Sequence, residues 1–373
     1  MEGPESVYGR RDMRSSMDTV ARWAPLALVI SAGCSAAPLA PKGGAGAEGN
    51  VRPVSAALES KLDAIARGSG GVVSATVVHL PGGERASVNG GKRMPMMSVF
   101  KLPLAIVSLA AVDAGQHALT ESIAIAPEEI RPWVSPLAEA WQKGEKAFPL
   151  ETVLTRVIQN SDNTAGDKLV TWNGGGAKIT AQLKAMGIDG VDVGEQEIDI
   201  FGRITCVDAM PATGWTAPLI EGCKYTTPAE RAERARREAE SPKNGSTADA
   251  LAAMFVKLDR GEVLSQKSRE WLSRTLEGTM TGKGRLRTGL PPGTKLAHKT
   301  GTGDTYEGFN VATNDVGIAT LPDGSRLVIA ALTSGVPGDD AAREAVLAEI
   351  ARAAYEAFTA RTPTAPASDP SSR

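Results

Sequence analysis

Apolar residues recur at helical spacing through Pro53–Arg67 and stop at Gly68-Ser69-Gly70-Gly71, which predicts a helix closed by a breaker. Val72–Leu80 and Glu84–Val88 flank Pro81-Gly82-Gly83 and read as a β-hairpin. Val99–Val112 is an apolar run of helical length ending at Gly115. From about 120 to 280 the pattern is helical, with few strand-like runs. Gly308–Thr320 and Ser325–Thr333, joined by Pro322-Asp323-Gly324, predict a second hairpin, and Ala341–Phe358 a final amphipathic helix. Strands therefore cluster at both ends with helices between them. That order predicts an α/β sheet domain interrupted by an all-α domain, with a site in the seam.

The ends follow other rules. Arg10, Arg11, Arg14 and Arg22 precede the apolar run Trp23–Gly33, too short to span a bilayer, so residues 1–34 read as an export signal. Met13 or Met17 as the start gives a more usual signal length. Ile30-Ser31-Ala32-Gly33-Cys34 resembles a bacterial lipoprotein box, with Cys34 as the acylated residue and a membrane tether; the alternative is a plain cut near Ala36 or Ala37. Either way the protein is expected to be exported, periplasmic or anchored through that lipid. Residues 35–52 read as a flexible linker and 361–373, rich in Pro, Ser, Thr and Ala, as a disordered tail.

Composition narrows the chemistry. The 373 residues are 42% hydrophobic and 23% charged, enough for a sizeable core. Lys plus Arg is 41 against 43 Asp plus Glu, a net charge of −2, so a nucleic-acid partner is not expected. His79, His117, His298, Cys34, Cys206 and Cys223 never fall at metal-ligand spacing, which argues against a zinc hydrolase. Cys206 and Cys223 lie in the exported portion, where a disulfide closing their loop contributes ~3 kcal/mol; two unpaired thiols are the alternative.

Ser98-Val99-Phe100-Lys101 heads an apolar helix, and three positions along a helix put serine and lysine on one face. A serine becomes a nucleophile when a base takes its proton, which a lysine does once burial and positive neighbours depress its pKa. Taken alone, the pair equally fits an N-cap serine and a solvated lysine. Ser161-Asp162-Asn163 alone fits an N-cap cluster, and His298-Lys299-Thr300-Gly301-Thr302-Gly303 alone a strand with glycines at its bend. Their joint order and spacing are specific. Ser161 follows Ser98 by 63 positions, and Lys299 follows Ser161 by 138.

This set resembles the penicillin-recognising serine enzymes, and the separations resemble a class A serine β-lactamase with one insertion. The likeness spans nearly all of 53–360. It includes Met94-Pro95-Met96-Met97, Asn173-Gly174-Gly175, Thr281-Gly282 with Arg285-Leu286, Gly289-Leu290-Pro291-Pro292-Gly293, Asn314-Asp315-Val316-Gly317 and Leu321-Pro322-Asp323-Gly324. The resemblance implies an antiparallel sheet of about five strands flanked by the N- and C-terminal helices, drawn from 53–108 and 283–360. A helical domain over 109–282 would interrupt it. It also implies a monomer that hydrolyses β-lactams without metal or organic cofactor. A D-alanyl-D-alanine peptidase or a related hydrolase on the same scaffold is the first alternative, and a non-catalytic envelope lipoprotein the second.

Carried over by residue, the resemblance makes Ser98 the nucleophile and Lys101 its proton acceptor, with the N–H groups of Ser98 and Thr302 as oxyanion hole. Ser161 relays the proton to the departing nitrogen and Asn163 holds the side-chain amide. Lys299, Thr300, Gly301 and Thr302 form the carboxylate-binding strand, with Arg285 assisting; a solvent-facing Arg285 is the alternative. Glu197, 36 positions after Ser161, and Glu195 both fit the frame of the deacylating base, and Glu197 is preferred. Three departures stand out. Phe201 replaces an asparagine that helps to hold water. Residues 202–246 run about 35 longer than usual and include the sign-alternating Ala229–Ser241, expected as an exposed helix on the rim. Trp133 sits where an aromatic gate belongs or simply packs on scaffold.

Overall fold

The structure, a computed structural model, describes residues 53–360 except 132, 212 and 213. The signal, Cys34, the linker and the tail lie outside the described residues. The elements that frame the site are helix α1 (Pro53–Gly68), strands β1 (Val72–Leu80) and β2 (Glu84–Val88), and helices α2 (Lys101–Asp113), α3 (Asn163–Trp172), α4 (Glu197–Thr205) and α5 (Pro228–Glu240). Then come α6 (Ala248–Arg260), α7 (Gln266–Glu277), β3 (Leu296–Thr302), β4 (Thr313–Thr320), β5 (Arg326–Ser334) and α8 (Asp340–Thr359).

The five strands form one antiparallel sheet in the order β2-β1-β5-β4-β3. Central β5 is buried on both faces from Leu327 to Leu332, which is why it reads as an unbroken apolar run. On one face α1 and α8 bury Leu58, Leu62, Leu347 and Ile350 against Val77 and Ile329. On the other lies the helical layer, centred on α2. Its residues from Leu102 to Leu109 are all buried, so α2 is apolar all round rather than amphipathic. Sheet and helices belong to one compact unit. Among the described residues no helix is long and apolar enough to cross a membrane.

Local geometry departs from the periodicity in two places. The apolar helix is preceded by a 3-10 turn over Met97–Phe100. The last hairpin's first arm begins at Thr313 rather than Gly308, because Thr305–Tyr306 and Phe309–Asn310 pair in a short ribbon of their own. The helical region also holds very short strands, such as Ser122–Ala124 against Ala147–Pro149. Such pairs are too short to show alternation.

The extra segment folds as a small layer of its own. Thr227 and Glu230 form a capping box, with Pro228 at the first turn of α5. Cys206 and Cys223 are joined by a disulfide. Around it Ile198, Cys206, Trp215 and Ile220 make one apolar cluster, and Ile200, Ile204, Ala235 and Val311 make another. The sign-alternating helix presents most of its charges outward and turns Ala232 and Ala235 inward, but departs from an exposed helix in burying Glu238, which pairs with Arg203.

Candidate active site

Ser98 sits inside the 3-10 turn, just after Met97, whose φ of 46° is unusual for a residue with a side chain. That backbone turn aims the hydroxyl into a cleft while α2 runs on into the core. Lys101 lies on the same face, fully buried, and its Nζ donates to Ser98 Oγ at 3.1 Å. Nζ also donates to Ser161 O at 2.8 Å and Asn163 Oδ1 at 2.5 Å, and stands 2.9 Å from Glu197 Oε2. A buried lysine nitrogen needs such polar partners in place of water.

The second segment is delivered by a helix that widens at its end. Leu150–Thr155 passes into a π-helical turn at Arg156–Asn160 and ends at Ser161 in the left-handed region, φ 58°. Asp162 then caps α3, accepting from Ala165 N at 2.9 Å, while its other oxygen takes Leu137 N at 2.7 Å. The aspartate of this motif is therefore scaffold, and its neighbours face the cleft. Ser161 Oγ accepts from Lys299 Nζ at 3.0 Å, and Asn163 Nδ2 donates to Trp133 O at 3.2 Å.

The third segment is β3, the edge of the sheet. Gly303 N donates to Ala312 O at 2.9 Å, a hydrogen-bonded pair, so the N–H of Thr302 turns to the open edge, toward the cleft. Gly301 permits this closeness: a Cβ there would lie 2.3 Å from Met96 O. Lys299 is fully buried, and burial followed by the positive charge of Lys101 holds its pKa well below the usual lysine value. Thr300 Oγ1 meets Thr281 Oγ1 at 2.5 Å. Arg285 is buried, not solvent-facing. It donates to Thr302 Oγ1 at 2.7 Å and to the carbonyls of Gly301 and Asn314, and pairs with Glu344 at 2.9 Å. It braces the strand and orients the Thr302 hydroxyl.

The two glutamates part company. Glu197 opens α4, with Oε1 accepting from Ser98 Oγ at 3.4 Å. Its Oε2 is buried against Lys101 Nζ and accepts no well-aligned hydrogen bond. Glu195 turns away and pairs with Arg203. Phe201 tilts onto Trp133 with ring centroids 4.2 Å apart, and both line the cleft. The cleft measures about 350 Å³ and also takes in Ser98, Ser161, Asn163, Thr300 and Thr302. Among the described residues no cluster of three or more His, Cys, Asp and Glu is placed to hold a metal.

Two site residues escaped the sequence reading. Asp167 of α3 is buried and accepts Glu197 N at 2.7 Å and Ile198 N at 3.3 Å, capping α4 from outside. Burial raises its pKa despite the adjacent guanidinium of Arg131, 2.7 Å away. Arg131 also reaches Gln196 Oε1 at 2.8 Å, so the pair clasps both sides of the α4 entrance. The only cue was an aspartate on the apolar side of a helix, which periodicity treats as noise.

A model of the β-lactamase enzyme family matches residues 57–358. The extended-spectrum β-lactamase PER-1 of Pseudomonas aeruginosa is 29% identical over 301 residues, 80% of this chain and 86% of that protein. Among solved structures, a β-lactamase from Chitinophaga pinensis is 31% identical with a TM-score of 0.67, covering 81% of this chain and 99% of the other. An ancestral class A β-lactamase is 28% identical with a TM-score of 0.64, covering 81% and 100%.

Proposed function

This chain belongs to the β-lactamase enzyme family, and we propose that it is a class A serine β-lactamase that hydrolyses penicillin- and cephalosporin-type amides through an acyl-enzyme on Ser98. The observation that carries the reading is the convergence of Ser98, Lys101 and Glu197 within 3.4 Å of one another at one wall of the cleft. Lys101, the closer base, takes the proton from Ser98. Oγ then adds to the lactam carbonyl, whose oxyanion is met by the N–H groups of Ser98 and Thr302; one such donor is worth ~3–4 kcal/mol of barrier. As the C–N bond breaks, Ser161 delivers its proton to the ring nitrogen and takes in turn the one that Lys101 received from Ser98. A water then attacks the ester carbonyl, Glu197 takes its proton, and Ser98 Oγ leaves and is reprotonated. Lys299, Thr300 and Thr302 hold the substrate carboxylate.

Glu197 beside Ser98 favours hydrolysis over a stable adduct, so the peptidase alternative is not favoured. The test is multiple turnover of a chromogenic cephalosporin, with mass spectrometry of the intact protein. A stoichiometric adduct on Ser98 that fails to clear would point to the peptidase, and no reaction at all to a binding module. The same reading places the enzyme outside the cytoplasm as a monomer. The Cys206–Cys223 disulfide and the Arg-rich, apolar first 34 residues support export, to the periplasm or to a lipid anchor at Cys34. Cell fractionation of Cys34→Ala tests the anchor: an anchored protein moves to the soluble fraction. Sedimentation of the mature chain tests the monomer.

A further inference from the structure

The segment 202–246 does more than extend the rim. Helix α5 lies behind the cleft wall and ties together the two elements that build it. Toward α4, Glu238 pairs with Arg203 at 2.7 Å, and Arg234 donates to the carbonyls of Arg203 and Cys206 at 3.0 and 2.6 Å. Toward the loop between β3 and β4, the Arg236 guanidinium lies 5.2 Å over the Phe309 ring. Between these ties Ala235, wholly buried, packs with Ile200, Ile204 and Val311, all three of which line the cleft. The position of that wall therefore depends on the size of one side chain outside the cleft.

The wall also has a character. Ile200, Phe201, Ile204, Tyr306 and Val311 make it apolar. The charged groups lining the cleft are Glu197 and Asp304, and Asp304 accepts from Tyr306 Oη at 3.0 Å. A flat apolar substituent gains contact there, whereas an anionic one meets two carboxylates.

Resting on the β-lactamase reading, we propose that α5, through Ala235, is a specificity-determining element that sets this wall for β-lactams whose acyl side chain is aromatic or branched and uncharged. Ala235 touches no substrate; it acts through Ile200 and Ile204.

The experiment measures kcat/KM of the full chain for benzylpenicillin, for its side-chain-carboxylated analogue carbenicillin, and for the bare nucleus 6-aminopenicillanic acid. Wild type is expected to prefer benzylpenicillin to each of the others by roughly tenfold or more, the scale of a few apolar contacts in a pocket. Ala235→Leu drives Ile200 and Ile204 into the cleft, so the ratio of benzylpenicillin to bare nucleus should fall about tenfold. Ile204→Ala, which removes wall contact without overpacking, should lower the same ratio and keeps the test open if Ala235→Leu misfolds. An unchanged ratio in the folded variants, or losses equal for all substrates, overturns the proposal. Turnover of the bare nucleus stands apart: if wild type processes none of the three and Ser98 carries no adduct, the underlying β-lactamase reading has failed instead.

Discussion

Asp167→Asn removes one charge and almost no volume, yet it strikes the clasp at the start of α4. Arg131 would be left as a buried guanidinium with only neutral acceptors, Glu128 O at 3.0 Å and Gln196 Oε1 at 2.8 Å. Breaking a buried pair from one side costs about 3–5 kcal/mol. In a fold of this size roughly 2 °C of melting temperature goes with each kcal/mol, so Tm should drop about 6–10 °C. The catalytic effect is separate. The carboxylate that accepts Glu197 N and Ile198 N becomes a neutral amide, weakening hydrogen bonds to a charged group that are each worth about 1.5–3 kcal/mol. If half of that loss appears as misplacement of Glu197, deacylation slows roughly three- to tenfold, at 1.36 kcal/mol per decade. Acylation, which needs Ser98 and Lys101, should be little changed. Differential scanning fluorimetry gives the Tm, and rapid-quench mass spectrometry gives the acylated fraction during turnover. A Tm within 2 °C of wild type together with no rise in steady-state adduct would refute the clasp.

Other expectations follow from the same geometry. Glu197→Gln should acylate and then stall, with a persistent adduct by mass spectrometry, whereas Glu195→Gln should clear it normally because Glu195 faces Arg203. Lys299 carries a pKa well below 10.5, so its ammonium is lost on the alkaline side sooner than an ordinary lysine's. KM for a carboxylate-bearing substrate should rise as pH climbs through that lowered value, and Lys299→Arg should move the limb upward. The stability sign is opposite: between the lowered value and 10.5 the unfolded chain binds more protons, so folding stability from this group rises with pH. Gly301→Ala puts a Cβ against Met96 O and should displace β3 from Ser98, costing about 1–3 kcal/mol and most of kcat/KM. Cys206→Ser with Cys223→Ser should cost ~3 kcal/mol in denaturant titration in the entropic model, and an unchanged midpoint would count against it.

What was legible in the sequence was whatever repeats or is local. Both arms of the first hairpin, the terminal helices and the charged run at Ala229–Ser241 announce themselves by period, breakers and caps. The motif residues were legible through order and spacing, since Ser98, Ser161 and Lys299 come from three segments whose separations are set by the fold. Side-chain direction was not. Arg285 reads as an aid to carboxylate binding or else as a solvent-facing cation, but the Gly301 and Asn314 carbonyls and Glu344 draw it inward. The left-handed turn at Ser161 arises from a π-helical turn that has no compositional mark. Asp167 and Arg131 lie 36 positions apart, and only tertiary packing makes them one clasp.

The apolar clusters behind the cleft wall are distinct from the two large cores that hold the sheet and the helical layer. That annex nevertheless shares the helix headed by Glu197 and packs on Met97, the neighbour of Ser98, so a change inside it reaches base and nucleophile as well as the wall. Side chains exchanged there leave the two large cores as they are and alter fit and turnover of an antibiotic together.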